Sequence, residues 1–426
     1  MTEIRLAPAA APVPEAESPR LPRAFHRLWL AGSVSSLGDG VYLVALPLLA
    51  ATLTRDPMEL ALVTSAALAP WFFLGLLGGA LVDRWDRRRT MWLTDLLRAG
   101  LLAVPALAAA CHLLSIPLLV AVAFLLGTGQ IFFDSAGSAY LPELLGRDLR
   151  LLEQANSRQM GSRTVAADFA GPPAGAALFG LARALPFGLD ALSFLASSLL
   201  IRTLPAQPVA PERPSGSLWA DARAGVSFLL RDKVLLGLAL RPAIGNLAFA
   251  GTETVLVLFS RQALHLGSFG YGLLLTAQAV GGLLGAVLAG RLRALLGTGG
   301  ALTATALLEG LSLAALGLAA GPAPVVQAAV ALALLGAAMA ATMVLAPTVS
   351  QALIPTALAG RVAAARRLLS LGAAPVGALL GGWLATAAGL RAPFVAGSVL
   401  LAATALLALT LTSNRRIEAA LAGRAQ

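Results

Sequence analysis

The chain has 426 residues, 58% of them hydrophobic and 12% charged, with a mean hydropathy of +0.81. Soluble proteins carry about 25% charged residues, and half that density leaves too little polar surface to face water over so long a chain, which argues against a soluble protein. The net charge of +10 is scattered between long apolar runs, without the basic face and readout residues that nucleic-acid binding needs, so no nucleic acid is expected as a partner.

Residues 1–24 are rich in Ala and Pro and carry Glu3, Glu15 and Glu17. They lack an h-region followed by a cleavage site, so they read as a disordered cytoplasmic tail and not as a signal peptide. From Leu28 the chain becomes a succession of apolar runs, each close to the ~20 residues that a spanning helix needs. The expected spans are 28–50, 60–82, 91–111, 116–137, 164–182, 186–204, 235–258, 270–290, 300–320, 324–346, 367–389 and 392–412. Breakers or charges stand at the joints, among them Arg55-Asp56-Pro57, the Asp83–Arg89 cluster and Arg391-Ala392-Pro393. The ~10-residue alternating segments of a membrane barrel are absent. The fold class is therefore an all-α membrane protein with about twelve transmembrane helices.

Orientation follows from the basic residues. With the N-terminus inside, 27 of them, Arg98 and Arg241 included, fall on the cytoplasmic side and 4 (Arg55, Arg183, Arg261 and Arg391) outside. That is the positive-inside asymmetry, and it puts both termini in the cytoplasm. Residues 205–233 break the apolar rhythm with Pro205, Pro208, Pro211 and Pro214, then Ser215-Gly216-Ser217. They read as a cytoplasmic linker, ending in a short amphipathic helix from Leu218 to Leu230 at the membrane interface. The linker divides the chain into a six-helix bundle at 25–204 and another at 234–413, followed by a tail at 414–426. The halves also share weak similarity: Pro173 and Gly175 align with Pro375 and Gly377, and Gly79-Ala80-Leu81 with Gly285-Ala286-Val287. A 6+6 repeat is a transporter architecture, with its substrate site between the halves near the midplane.

The end of the second span reads Gly78-Gly79-Ala80-Leu81-Val82-Asp83-Arg84-Trp85-Asp86-Arg87-Arg88-Arg89. Gly79 allows close helix approach, and Asp83 can accept hydrogen bonds from a facing helix N-terminus, expected near Gly360 to Arg367. This stretch resembles the signature loop of the major facilitator superfamily, with Asp86 where the superfamily pattern has Gly. Gly79, Asp83, Arg84, Arg87 and Arg88 are read as a cytoplasmic gate that latches the halves in the outward-facing state. In the fifth span, Gly171-Pro172-Pro173-Ala174-Gly175 resembles the Gly-Pro motif of antiporters in that superfamily. The prolines allow a kink, and Gly171 and Gly175 form a small-residue packing face. Ala176 stands where a second Gly is usual, so the motif is partial. Further stretches (Phe25 to Leu30, Leu37-Gly38-Asp39, Phe132-Phe133-Asp134, Tyr140-Leu141-Pro142, Ala155-Asn156-Ser157 and Asp190 to Phe194) resemble the bacterial branch of macrolide-efflux pumps and enterobactin exporters.

An ionisable group inside a span costs several kcal/mol (~2.5–3.5 for Asp at the centre) and is a functional hypothesis by default. The candidates are Asp39, Asp134, Asp168, Asp190, Glu253 and Glu309. The resemblance implies that spans one, four, seven and ten line the cavity, which selects Asp39, Glu253 and Asp134 as proton-coupling or substrate residues. At Asp39 a proton and a cationic substrate could compete for one carboxylate. Asp134 could belong instead to the gate; Asp168 and Asp190 read as structural and Glu309 as peripheral. Arg241 and Asn246 could line the cavity or snorkel. Aromatic residues such as Trp71, Phe72, Phe73 and Phe249 read more readily as packing than as substrate contacts. His26, His112 and His265 lie at span ends, and Cys111 is the only cysteine, so no metal site, disulfide or cofactor is expected. GxxxxGK[ST], GxSxG and HExxH patterns are absent, which argues against an ATP-driven pump and an enzyme. The expected function is a monomeric, proton-coupled antiporter that exports hydrophobic or amphiphilic small molecules from the bacterial inner membrane. Import or uniport of a small solute, or a non-transporting sensor, are the alternatives.

Overall fold

A computed structural model describes residues 20–75, 81–82, 84–111, 113–206, 226–230, 232–354 and 359–422. Gly79 and Asp83 lie outside the described residues, as do most of the linker and most of the N-terminal tail.

Among the described residues the chain is helical throughout. The first half runs through α1 (Arg23–Leu53), α2 (Pro57–Leu74), α3 (Arg87–Ala110) and α4 (Ile116–Leu144). It continues through α5 (Leu149–Arg163), a π-helical segment (Thr164–Ala170), α6 (Gly171–Leu181) and α7 (Leu185–Arg202). The second half contains α8 (Lys233–Gln262), α9 (Ser268–Gly317), α10 (Pro324–Leu353), α11 (Ala359–Ala388), α12 (Ala392–Leu411) and α13 (Asn414–Ala422). Ten described helices are long and apolar enough to cross a membrane. Many large apolar side chains face outward, Leu97, Leu107, Leu181, Val287 and Leu406 among them, as lipid-facing surfaces require.

Local chemistry sets the helix boundaries. Asp56, Asp86, Asp148 and Asp232 each accept a backbone N–H from the first turn of the helix that follows, satisfying otherwise orphaned donors. Asp86, the departure from the superfamily pattern, is thus the cap of α3, accepting from Arg89 N at 2.8 Å. α9 is broken at Gly297, whose φ of 71° and ψ of 171° separate two helical arms. The Asn414 side chain secures that break, accepting from Gly299 N at 2.7 Å and donating to Leu296 O at 2.9 Å. The segment read from sequence as a tail therefore carries helix α13, with Ile417 buried against the second half. Residues 226–230, the described end of the expected amphipathic helix, also dock there: Leu229 is buried in the cluster that contains Val234, Leu345 and Leu353.

Small residues bring the helices together. A Cβ on Gly171 would lie 2.5 Å from Gly40 Cα, and one on Gly175 would lie 2.5 Å from Val41 O, so α6 packs backbone to backbone on α1. In the second half Gly377 and Gly381 bring α11 equally close to Leu247 and Gly251 of α8. Such contacts are the small-residue packing of membrane helices.

The halves meet along α2–α11 and α6–α9. Thr386 Oγ1 donates to Asp56 Oδ1 at 3.3 Å, Arg261 NH1 donates to Ala51 O at 3.2 Å, and Gly272 packs on Pro172 and Ala176. These three contacts lie toward the end remote from the linker, where α1, α8 and α11 finish and α2 and α9 begin. α2 and α11 also meet further along, where Gly372 packs on Phe72 and the Arg367 guanidinium lies 5.0 Å from the Trp71 ring centroid.

Candidate functional site

The first half holds a buried polar cluster built on four helices. Arg98 lies eleven residues into α3, ~16 Å along its axis, and is only 4% exposed. Its NH2 donates to Asp39 Oδ1 on α1 at 3.0 Å and to Gln130 Oε1 on α4 at 2.5 Å. Its NH1 donates to Asp95 Oδ1 at 3.3 Å, and its guanidinium stacks 3.7 Å from the Phe194 ring centroid on α7. Gln130 Nε2 passes the chain on to Asp134 Oδ1 at 2.8 Å. Asp190 closes the far wall, accepting from Ser193 Oγ at 3.1 Å. Gly38 makes that approach possible, because a Cβ there would collide with the side chains of Asp190 and Ser193. Two carboxyl groups thus pair directly with one guanidinium, a third is linked to it through Gln130, and a fourth lies beside them.

The second half has a smaller counterpart. Arg241 lies eight residues into α8, ~12 Å along its axis, and is 7% exposed. Its NH2 donates to Thr305 Oγ1 and Thr342 Oγ1, each at 2.8 Å, and to Glu309 Oε1 at 3.2 Å. Thr342 Oγ1 also donates to Glu309 Oε1 at 3.1 Å. Beside this network lies a cavity of about 420 Å³ among α8, α9, α10, α11 and α12. Asn246 lines it, with Nδ2 donating to Ser370 O and Oγ at 2.9 Å.

These placements revise several expectations. Arg98 is a buried ion-pair partner and not an interfacial charge, and of the two readings of Arg241 it is lining the cavity that holds; both sit too deep for a snorkelling side chain. Glu309 is not peripheral: it is 6% exposed and paired with Arg241. Asp134 joins the Arg98 network through Gln130. Asp190 belongs to the same cluster, whereas Asp168 lies apart on the π-helical segment. Asp39 is bound by Arg98, so its carboxylate is already engaged by a cation. Glu253, on α8, borders a small void with Gln278 and Phe394 and forms no ion pair with another described residue.

The antiporter-like motif has a local explanation. Pro172 and Pro173 cannot donate to the carbonyls one turn back. The chain takes a π turn over Thr164–Ala170, and Gly171 N donates to Ala166 O, five residues earlier. Pro172 and Gly175 then lie buried in α6.

Of the expected gate, Arg84 is exposed, and Arg87 forms an ion pair with Glu143 at the end of α4. Arg88 NH1 donates to Leu204 O at 2.8 Å, just beyond α7, and Tyr140 OH donates to Pro205 O at 2.8 Å. Arg88 and Tyr140 thus tie α3 and α4 to the point where the chain leaves α7, and Arg87 ties α3 to α4.

Asp95, one helical turn before Arg98, offers a local partner, but near a helix end that spacing does not separate a buried pair from a snorkelling charge. No local signal marks Glu143 as the partner of Arg87, since the contact joins two helices.

The chain matches the family model described as transmembrane secretion effector over residues 16–425. It is 28% identical to the multidrug efflux pump Tap of Mycolicibacterium fortuitum over 421 residues, covering 92% of this chain and 96% of that protein. It is 29% identical to the enterobactin exporter EntS of Citrobacter koseri over 284 residues, 63% of this chain and 64% of that protein. Among solved structures, a variant of the nucleoside transporter NupG superposes with a TM-score of 0.75 at 12% identity, covering 92% of this chain and 100% of that one. A bacterial homologue of the iron transporter ferroportin, in an inward-facing state, superposes with a TM-score of 0.74 at 16% identity, covering 93% and 100%. The chain belongs to the transmembrane secretion effector family, within the major facilitator superfamily, and is a multi-pass membrane transporter.

Proposed function

We propose that the protein is a monomeric, proton-coupled exporter of hydrophobic or amphiphilic small molecules, working by alternating access. The reading takes twelve spans in two six-helix bundles, with both termini cytoplasmic. The break at Gly297 supports counting α9 as two spans, and the continuous run through the π segment and α6 supports one more. The matched glycine contacts of α6 on α1 and of α11 on α8 support the repeat.

The observation that carries the coupling is the first-half cluster, in which Asp39 and Asp95 pair with Arg98, Asp134 joins through Gln130, and Asp190 packs beside them against Gly38. Such a group gathers several acid sites around one buried guanidinium, an arrangement suited to holding and releasing protons at membrane depth. The hydrogen bonds that join the halves at the end remote from the linker support an inward-facing state. The likeness to Tap and EntS supports the outward direction of transport.

The test is flux in proteoliposomes under an imposed pH gradient across a panel of lipophilic compounds. Export requires substrate movement opposite to protons, with collapse of the pH gradient abolishing it. Movement of substrate with protons, or indifference to the gradient, refutes the reading.

A further inference from the structure

We propose that the second-half cavity is a binding site for amphiphilic anions, with the acidic head at Arg366 and the apolar body in the cavity. The inference rests on the transport reading and adds the charge of the substrate. The cavity, about 420 Å³, is the size of a small-molecule site. Its walls include Phe249, Leu313, Leu335 and Met339, which suit an aromatic or aliphatic body.

Among the described residues that line it, the charges do not balance. Arg241 and Glu309 neutralise one another at 3.2 Å. Arg366, half-buried on α11, also lines the cavity and donates through NH1 to Ser350 Oγ at 2.7 Å, a neutral partner. It forms no ion pair with another described residue. The sequence itself enforces this locally: no Asp or Glu occurs between Glu309 and Glu418, so α10, α11 and α12 bring no carboxylate to the cavity. The remaining acid of α8, Glu253, borders a different void. A guanidinium in an apolar cavity is best satisfied by an oxygen anion that accepts its remaining donors. A lipophilic cation would meet an excess of like charge there.

The experiment compares two fluorescent probes of one skeleton, anilinonaphthalene sulfonate and its uncharged parent phenylnaphthylamine. Each is titrated against the full chain in phosphatidylcholine nanodiscs, with empty nanodiscs subtracted. The sulfonate binds at least about tenfold more tightly than the parent, equivalent to about 1.4 kcal/mol. Arg366→Gln removes that preference while leaving the parent probe's affinity unchanged, and Arg366→Lys retains most of it. Met339→Trp, which fills the cavity without touching a charge, weakens both probes. Equal affinities in the wild type, or a preference that survives Arg366→Gln, overturn the proposal. Failure of the export reading is separable: anion binding would remain selective while gradient-driven flux was absent.

Discussion

Arg98 and Asp39 join α3 to α1 at 3.0 Å, and the second half carries the opposite assignment, with the arginine on α8 (Arg241) and the acid on the second arm of α9 (Glu309). If α8 corresponds to α1 and that arm to α3, the two halves hold the same inter-helix ion pair with its charges exchanged. The surroundings differ. Arg98 pairs with two carboxylates, reaches a third through Gln130 and stacks on Phe194, whereas Arg241 faces one carboxylate and two threonines. The first arrangement suits proton exchange, and the second suits a fixed scaffold beside a cavity.

This asymmetry sets the first prediction. Arg98→Leu leaves buried carboxylates without their cation and destabilises the protein by about 3 kcal/mol, the low end for breaking a buried pair. Asp39→Asn is milder, because the Asp39 side chain is 38% exposed, yet it abolishes gradient-driven export at unchanged membrane abundance. Thermal unfolding in detergent and proteoliposome flux measure the two effects. Full activity of Asp39→Asn excludes it from coupling.

The ion pair between Arg87 and Glu143 gives a second prediction. It joins the start of α3 to the end of α4 near the linker, with both side chains largely covered. Arg87→Glu and Glu143→Arg each place like charges together and lower turnover, and the double exchange restores most of it. A double-mutant cycle on transport rate reads the coupling. Additive losses show that the pair has no part in the conformational cycle.

How far the sequence anticipates these features depends on the physics of each. Spans are legible because lipid demands about 20 apolar residues in a row, and Asp39 and Asp134 stand out because acids are rare inside such runs. Arg98 and Arg241 are not legible in the same way. Each lies within two or three turns of a helix end, where sequence cannot separate a snorkelling charge from a buried one. Glu309 loses its significance with Arg241, since a partner 68 residues away is visible only after folding. The cavity is illegible for the same reason: its walls come from five helices of nearly uniform Ala, Leu and Gly.

Topology has a test that needs no substitution. Cys111, the sole cysteine, is exposed just beyond α3, at the opposite end from Arg88, which binds the linker side through Leu204 O. With a cytoplasmic linker, a membrane-impermeant maleimide labels Cys111 from outside in intact cells. Labelling only in inverted vesicles reverses the orientation.

The break in α9 yields the last prediction. Gly297 has φ 71°, a region that side chains other than glycine rarely adopt, and the Asn414 carboxamide fills the space where a Cβ would stand, 2.5 Å from its Nδ2. Gly297→Ala therefore suffers both backbone strain and a collision. Asn414→Ala removes the acceptor for Gly299 N and the donor to Leu296 O. Each net hydrogen bond contributes about 1 kcal/mol, so the loss is about 2 kcal/mol of stability. Because α13 continues directly from Asn414, the same substitution releases the helix from the loop it caps. Hydrogen exchange rises at 296–300 and along 414–422 together. Faster exchange at the loop alone shows that Ile417, buried against the second half, holds α13 without help from Asn414.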